Sequence, residues 1–293
     1  MRVSTRSWLL AGVIAVGSLC SQLAQASIVF ADLGKNLEFQ QTGPSVVTPF
    51  NGGVNAFIFG RTFYPLVSEF DGGALTFAGP ASPQPYNISG LLDCCGDNGR
   101  GYQSGYMTQA DLDANFPTGV VYTLTATNSG TSASQSVNIA YANDLYTSDV
   151  PALDSASFTA LQNANPAAGL TLSFNSFTPN PLADFGQGFF TIFDFTSNTT
   201  VANFTGLSPS TTSVFLAPGT LSAGHQYVYE LIFDDVIAGS DNGVFTDARS
   251  GVRTFGDFNV RGAVPEPASW ALMLVGFGGL GAMLRRGRRL SAA

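Results

Sequence analysis

The sequence predicts an all-β body framed by two short apolar ends. Three observations carry that prediction. Apolar and small polar residues alternate with period two over several short runs, which places one face of each run in a core. Clusters of Gly, Pro, Asn, Asp and Ser interrupt those runs often, as tight connections require. Of 24 Phe and 9 Tyr, all but Phe277 lie between the two ends, enough aromatic surface to build a core and to argue against wholesale disorder.

The elements follow in chain order. Residues 27–105 form a small β-rich region ending in a loop at 79–105, dense in Pro, Gly, Asn and Ser, where a weak boundary is expected. A short helix is expected over Thr108 to Asn115, opened by Thr108 and stopped by Pro117. The main β-sandwich is then expected over 118–262. Val121 to Thr127 alternates cleanly, Asn128 to Ser134 turns, and Val137 to Tyr141 returns as a hairpin. A second helix is expected over Leu153 to Asn163, with Asp154 or Ser155 as its cap and Pro166 beyond its end. Leu170 to Phe174 alternates again. Gly188 to Phe195 is strongly apolar, with Thr200 to Phe204 pairing back on it. Val214 to Leu216, Tyr227 to Phe233 and Val252 to Val260 complete the set. Short strands with regular turn signals point to an immunoglobulin-like or jelly-roll-like sandwich.

The ends speak of export. Residues 1–26 carry Arg2 and Arg6, an apolar stretch from Trp8 to Leu19, and the small-residue site Ala24-Gln25-Ala26. That is the pattern of a secretory signal peptide, cleaved before Ser27. At the other end, Ala268 to Leu284 holds no charge and as a helix would span about 25 Å, enough to cross a thin hydrocarbon core. Arg285, Arg286, Arg288 and Arg289 follow and would stay on the cytoplasmic side. Pro265 and Pro267 keep the preceding segment extended, a shape that a protease groove grips.

With both ends removed, six basic and nineteen acidic residues remain between Ser27 and Ala263, a net charge of −13. Such a body lacks the basic footprint that nucleic acid or an anionic membrane demands. Both tryptophans, Trp8 and Trp270, leave with the ends, and Lys35 is the one lysine of the whole chain.

Residues 264–289 resemble the PEP-CTERM sorting signal in its PEPxxWA form. The resemblance rests on Pro265-Glu266-Pro267, Trp270-Ala271, the glycine-rich apolar run with Gly276-Phe277-Gly278, and the terminal arginines, which Gly287 interrupts. It implies recognition by an exosortase, a membrane-embedded cysteine peptidase, in a Gram-negative bacterium that makes exopolysaccharide. The protein would sit transiently in the inner membrane, then at the cell surface or outside the cell. The runs Tyr146 to Leu153 and Phe174 to Phe233 are similar to other exported proteins with this signal, which supports the β reading and supplies no activity.

Chemistry-bearing residues are few. His225 is the single histidine, so a Ser-His-Asp triad is formal only, and no Gly-x-Ser-x-Gly elbow accompanies it. The body holds three glutamates, Glu38, Glu69 and Glu230, with no motif pairing them for glycoside hydrolysis. Cys94-Cys95 would lie in an oxidising compartment, as a strained vicinal disulfide or as an intermolecular link. Asp93, Asp97 and Asn98, and separately Asp234, Asp235, Asp241 and Asn242, offer oxygens to calcium, in neither case with the EF-hand pattern. No other cofactor is expected. The reading is therefore a non-enzymatic surface or matrix protein associated with exopolysaccharide. A carbohydrate-binding module is the alternative, which an exposed cluster of Tyr and Phe on one sheet face would favour. A secreted hydrolase is the second alternative.

Overall fold

The computed structural model describes residues 27–50, 55–65, 69–78, 85–88, 90–91 and 99–260. The signal peptide, the Cys94–Cys95 loop and the sorting signal lie outside the described residues.

The predicted β-sandwich is what the structure shows. Its first strand, β1 (Phe30–Gly43), is long and pairs with the short β2 (Val46–Pro49) and with β3 (Ala56–Phe63). Then come β4 (Gly72–Phe77), β5 (Tyr86–Asn87), β6 (Gly90–Leu91) and β7 (Gly99–Tyr106). Helix α1 (Gln109–Asn115) leads into the hairpin β8 (Val120–Asn128) and β9 (Ala133–Tyr141). Helix α2 (Ser155–Gln162) precedes β10 (Leu170–Ser173), β11 (Phe185–Asp194), β12 (Thr199–Leu207) and β13 (Ser213–Leu216). The chain closes with the sixteen-residue strands β14 (Gln226–Asp241) and β15 (Val244–Asn259). These two are joined by Asn242 and Gly243, both at positive φ, as a two-residue hairpin turn requires.

One nine-stranded sheet runs β12-β11-β14-β15-β1-β3-β7-β6, with β2 added on β1. Within it β1 and β15 are parallel in register from Phe30 opposite Phe245 to Gln40 opposite Phe255. Strands from both sides of 79–105 thus meet in a single sheet, and the structure does not divide the described residues at that loop. The physical reason is that β1, besides pairing with its neighbours β2 and β3, takes β15 from the far end of the chain as its other partner.

One face of this sheet is covered in two blocks. The sheet β5-β4-β8-β9 and α1 cover the β1–β3 side, burying Leu33, Ile58, Leu75, Phe116, Tyr122 and Leu124. Helix α2 and the β10-β13 pair cover the other side, burying Phe158, Leu161, Leu172, Phe190, Tyr229 and Leu231. Tyr227, Tyr229, Leu231 and Phe233 do share the buried face of β14, as alternation demands.

Both helices begin where the caps place them. Thr108 caps α1 by accepting from Asp111 N, and Asp154 caps α2 by accepting from Ser157 N at 2.6 Å. Replacing Asp154 by alanine should cost about 1 kcal/mol in denaturant unfolding, since an orphan amide at the helix start loses its acceptor. An unchanged midpoint would show that water serves that amide equally well.

Candidate functional site

The opposite face of the nine-stranded sheet carries the candidate site. Period-two alternation sends Phe30, Asp32, Gly34, Asn36 and Glu38 of β1 to this face, while Leu33 and Lys35 point into the core. From β3 come Phe57, Phe59, Arg61 and Phe63; from β15, Arg249, Gly251, Arg253 and Phe255; from β14, Glu230, Ile232 and Asp234. Phe189 and Thr191 of β11, Asn203 and Thr205 of β12 and Gln103 of β7 complete the walls of an open groove of about 460 Å³.

Three arginines organise its floor. Arg61 is opposite Asp32 in register and donates to both its carboxylate oxygens, from Nε at 2.8 Å and from Nη2. Arg249 donates to Asp247 at 2.9 Å and stands 3.5 Å from Asp32 and 3.7 Å from Asp234. Arg253 donates to Glu230 at 2.9 Å and also to Glu38. Aromatic rings flank the guanidinium groups. Arg253 lies 4.9 Å from the Phe57 centroid and 4.6 Å from that of Phe255; Arg61 lies 4.4 Å from Phe59. Burial alone would lower the Arg253 pKa, yet Glu230 and Glu38 outweigh it and hold the guanidinium above its ordinary value. Burial raises Glu38 despite Arg253 beside it.

Two glycines make the close packing possible. A Cβ on Gly34 would come 2.2 Å from the Phe59 ring. Gly251 sits in register between Asn36 and Asp234, and a Cβ there would come 2.2 Å from Asn36 Oδ1 and 2.3 Å from Asp234 Oδ1. Those two oxygens are buried and have no hydrogen-bond partner. They are acceptors, so a ligand that donates hydrogen bonds would satisfy them.

Burial also pushes Asp234 up to about 6, against the pull of Arg249 and Arg61. The folded state therefore holds this proton more tightly than the unfolded chain. The group's contribution to stability is full below about pH 4 and is lost as pH rises towards 6. Asp234→Asn, which cannot ionise and can donate to Asn36, should raise stability at pH 7 by up to roughly 3 kcal/mol. The gain should shrink as pH falls towards 4. Unfolding curves of both proteins at pH 4 and pH 7 check this, and a gain independent of pH would contradict it.

The sequence-derived candidates fall elsewhere. His225 Nδ1 lies 2.7 Å from Asp194 Oδ2 at one end of the sheet. Asp194 also accepts from Thr196 N and Ser197 N in the β11-β12 turn. Burial opposes its charge, but the bonds from His225, Ser197 and Thr196 prevail and hold it down at about 2. Neither residue lines the groove. Asp234, Asp235 and Asp241, read together as oxygen donors for calcium, do not converge. Asp234 faces the groove, Asp235 accepts from Asn180 N at 3.1 Å, and Asp241 accepts from Asn138 N at 2.8 Å. Asn242 serves the hairpin turn. Among the described residues no group of three or more His, Cys, Asp or Glu is placed to hold a metal ion. Cys94, Cys95, Asp93, Asp97 and Asn98 lie outside the described residues, as do Ala24, Ala26, Pro265, Glu266, Pro267, Trp270 and Arg285, Arg286, Arg288 and Arg289. Among the described residues no helix is long and apolar enough to cross a membrane.

Comparison with known proteins bears on the tail. A family model of the PEP-CTERM protein-sorting motif matches residues 263–289. The chain carries a PEP-CTERM sorting motif. It marks an exported protein, handled by an exosortase and held transiently in the membrane. Curated proteins provide no match. Among solved structures, the FN1-FN3 domains of chicken CNTN1 align at 11% identity over 78% of this chain and 68% of that one, with a TM-score of 0.23.

Proposed function

We propose that this is a non-enzymatic protein of the cell surface or extracellular matrix whose body binds a neutral, hydroxyl-rich stretch of exopolysaccharide along the groove. The observation that carries the reading is the groove face itself. It combines half-exposed phenylalanine rings with buried acceptors that lack partners and polar side chains at the rim. Aromatic faces stack on the apolar faces of sugars, and acceptors take their hydroxyls. The charge balance favours a neutral ligand. Three arginines face five carboxylates, Asp32, Glu38, Glu230, Asp234 and Asp247, and each guanidinium already lies against at least one of them.

Titration of the exported protein with the exopolysaccharide of its own host tests this. Wild type should bind, and Phe57→Ala with Phe189→Ala should weaken binding at least about tenfold, the equivalent of one good ring contact. No binding, or binding indifferent to both rings, would overturn the reading. Release of new reducing ends would move it to the hydrolase alternative, with the groove carboxylates as the acids and bases. The sorting step has its own test. In host cells the intact mass should end near Val264 when the exosortase is present and retain the arginine tail when it is deleted.

A further inference from the structure

The one lysine of the chain does not reach solvent. Lys35 is on the core face of β1 and is fully buried. Its Nζ donates to Asp113 Oδ1 at 2.8 Å, at the end of α1, and lies 3.1 and 3.3 Å from the two oxygens of Asp144, just after β9. The Tyr141 ring is 5.2 Å away. Tyr146, next but one to Asp144, has a buried hydroxyl without a hydrogen-bond partner. Buried lysines are rare, and two carboxylates are one more than charge balance requires.

We propose that Lys35 and Asp144 condense into an intramolecular amide, with Asp113 as the proton carrier. The Asp144 carboxylate first takes a proton from the Lys35 ammonium, leaving a neutral amine beside a carboxylic acid. The Nζ lone pair attacks Cγ of Asp144 and forms the C–N bond while Asp113 accepts a proton from Nζ. The C–O bond to the Asp144 hydroxyl then breaks, and Asp113 returns its proton so that the hydroxyl leaves as water. Asp113 is regenerated, and no oxidant, reductant or activated group is consumed.

Three features of the site support the step. The nitrogen is held 3.1 and 3.3 Å from the two oxygens of the Asp144 carboxyl group, and such enforced proximity accelerates reactions. Neutralising an ammonium and a carboxylate removes two buried charges, which low dielectric favours. Burial raises Asp144 although Lys35 pulls it down, so its acid form is accessible. Asp113, with its side chain 37% exposed, is the better solvated of the two carboxylates and suits the ionised role. Burial and then the Asp144 charge keep the Tyr146 hydroxyl protonated.

Peptide mapping by mass spectrometry on the full-length chain, purified after expression with its signal peptide, tests it. A cross-linked pair containing Lys35 and Asp144 should appear, lighter than its two peptides by about 18 Da, one water. Trypsin should fail to cut after Lys35. Lys35→Arg should abolish the pair, and so should Asp113→Asn, which retains an acceptor for Nζ and cannot carry a proton. Only linear Lys35 and Asp144 peptides from folded wild type would overturn the proposal. A link to Asp113 instead, or an undiminished link in Asp113→Asn, would overturn the assigned roles. Because wild type alone decides whether the bond exists, a variant that fails to fold leaves the test intact.

Discussion

Replacing Arg253 by alanine should destabilise the body by about 3–5 kcal/mol at pH 7, the usual consequence of stranding a buried charge. Glu38 is 5% exposed and depends on Arg253 for its hydrogen bond, so without it the carboxylate has neither water nor a cation. The variant also loses a guanidinium packed against Phe57 and Phe255. The pH dependence gives a second check. Burial already raises Glu38, and removing Arg253 removes the main lowering influence. A raised carboxylate pKa gives stability that is present below the unfolded value and lost as pH rises through the folded one. The deficit should therefore be largest at neutral pH and shrink towards pH 4, as Glu38 becomes protonated. Replacing Arg253, Glu38 and Glu230 together with apolar residues of similar size should recover much of the loss. Denaturant midpoints across pH measure all of this. A deficit under about 1 kcal/mol, flat with pH, would mean that water reaches the pair as it does on a surface.

The same arginine explains what the sequence could and could not disclose. The hairpin of β8 and β9, the pairing of β11 with β12 and both capped helices were legible because their signals are local. Strand β1 was not. Its FADLGKNLEFQQTG breaks alternation, because Asp32, Asn36 and Glu38 are buried on the groove side while Lys35 is buried in the core. A strand buried on both faces by ion pairs shows no unbroken apolar face in its sequence, so only the wider 27–105 region reads as β-rich. Its partner β15 is about two hundred positions away in the chain, beyond any pattern within a window. The groove does leave a trace in the sequence. Phe57, Phe59, Arg61 and Phe63 occur at period two, as do Arg249, Gly251, Arg253 and Phe255, and an arginine among phenylalanines on one face signals a cation held between rings. Which carboxylates meet those arginines follows from register, and register is a property of the assembled sheet.

The second large effect concerns the unfolded chain. Asp113→Asn should lower stability by about 4–5 kcal/mol, although the side chain it alters is partly exposed and its replacement still accepts from Lys35. The effect comes from the tether. An amide between Lys35 and Asp144 ties positions 109 apart, and closing a loop of that size removes about that much conformational freedom from the unfolded ensemble. Without the proton carrier the amide does not form, so the variant unfolds as an open chain. The signature is twofold. The denaturant midpoint should fall, and the slope m should rise, because an untethered chain exposes more surface on unfolding. Loss of a native contact alone would lower the midpoint and leave m unchanged. Equal slopes for wild type and Asp113→Asn, with a difference under about 1 kcal/mol, would show that Lys35, Asp113 and Asp144 remain an ordinary ion cluster.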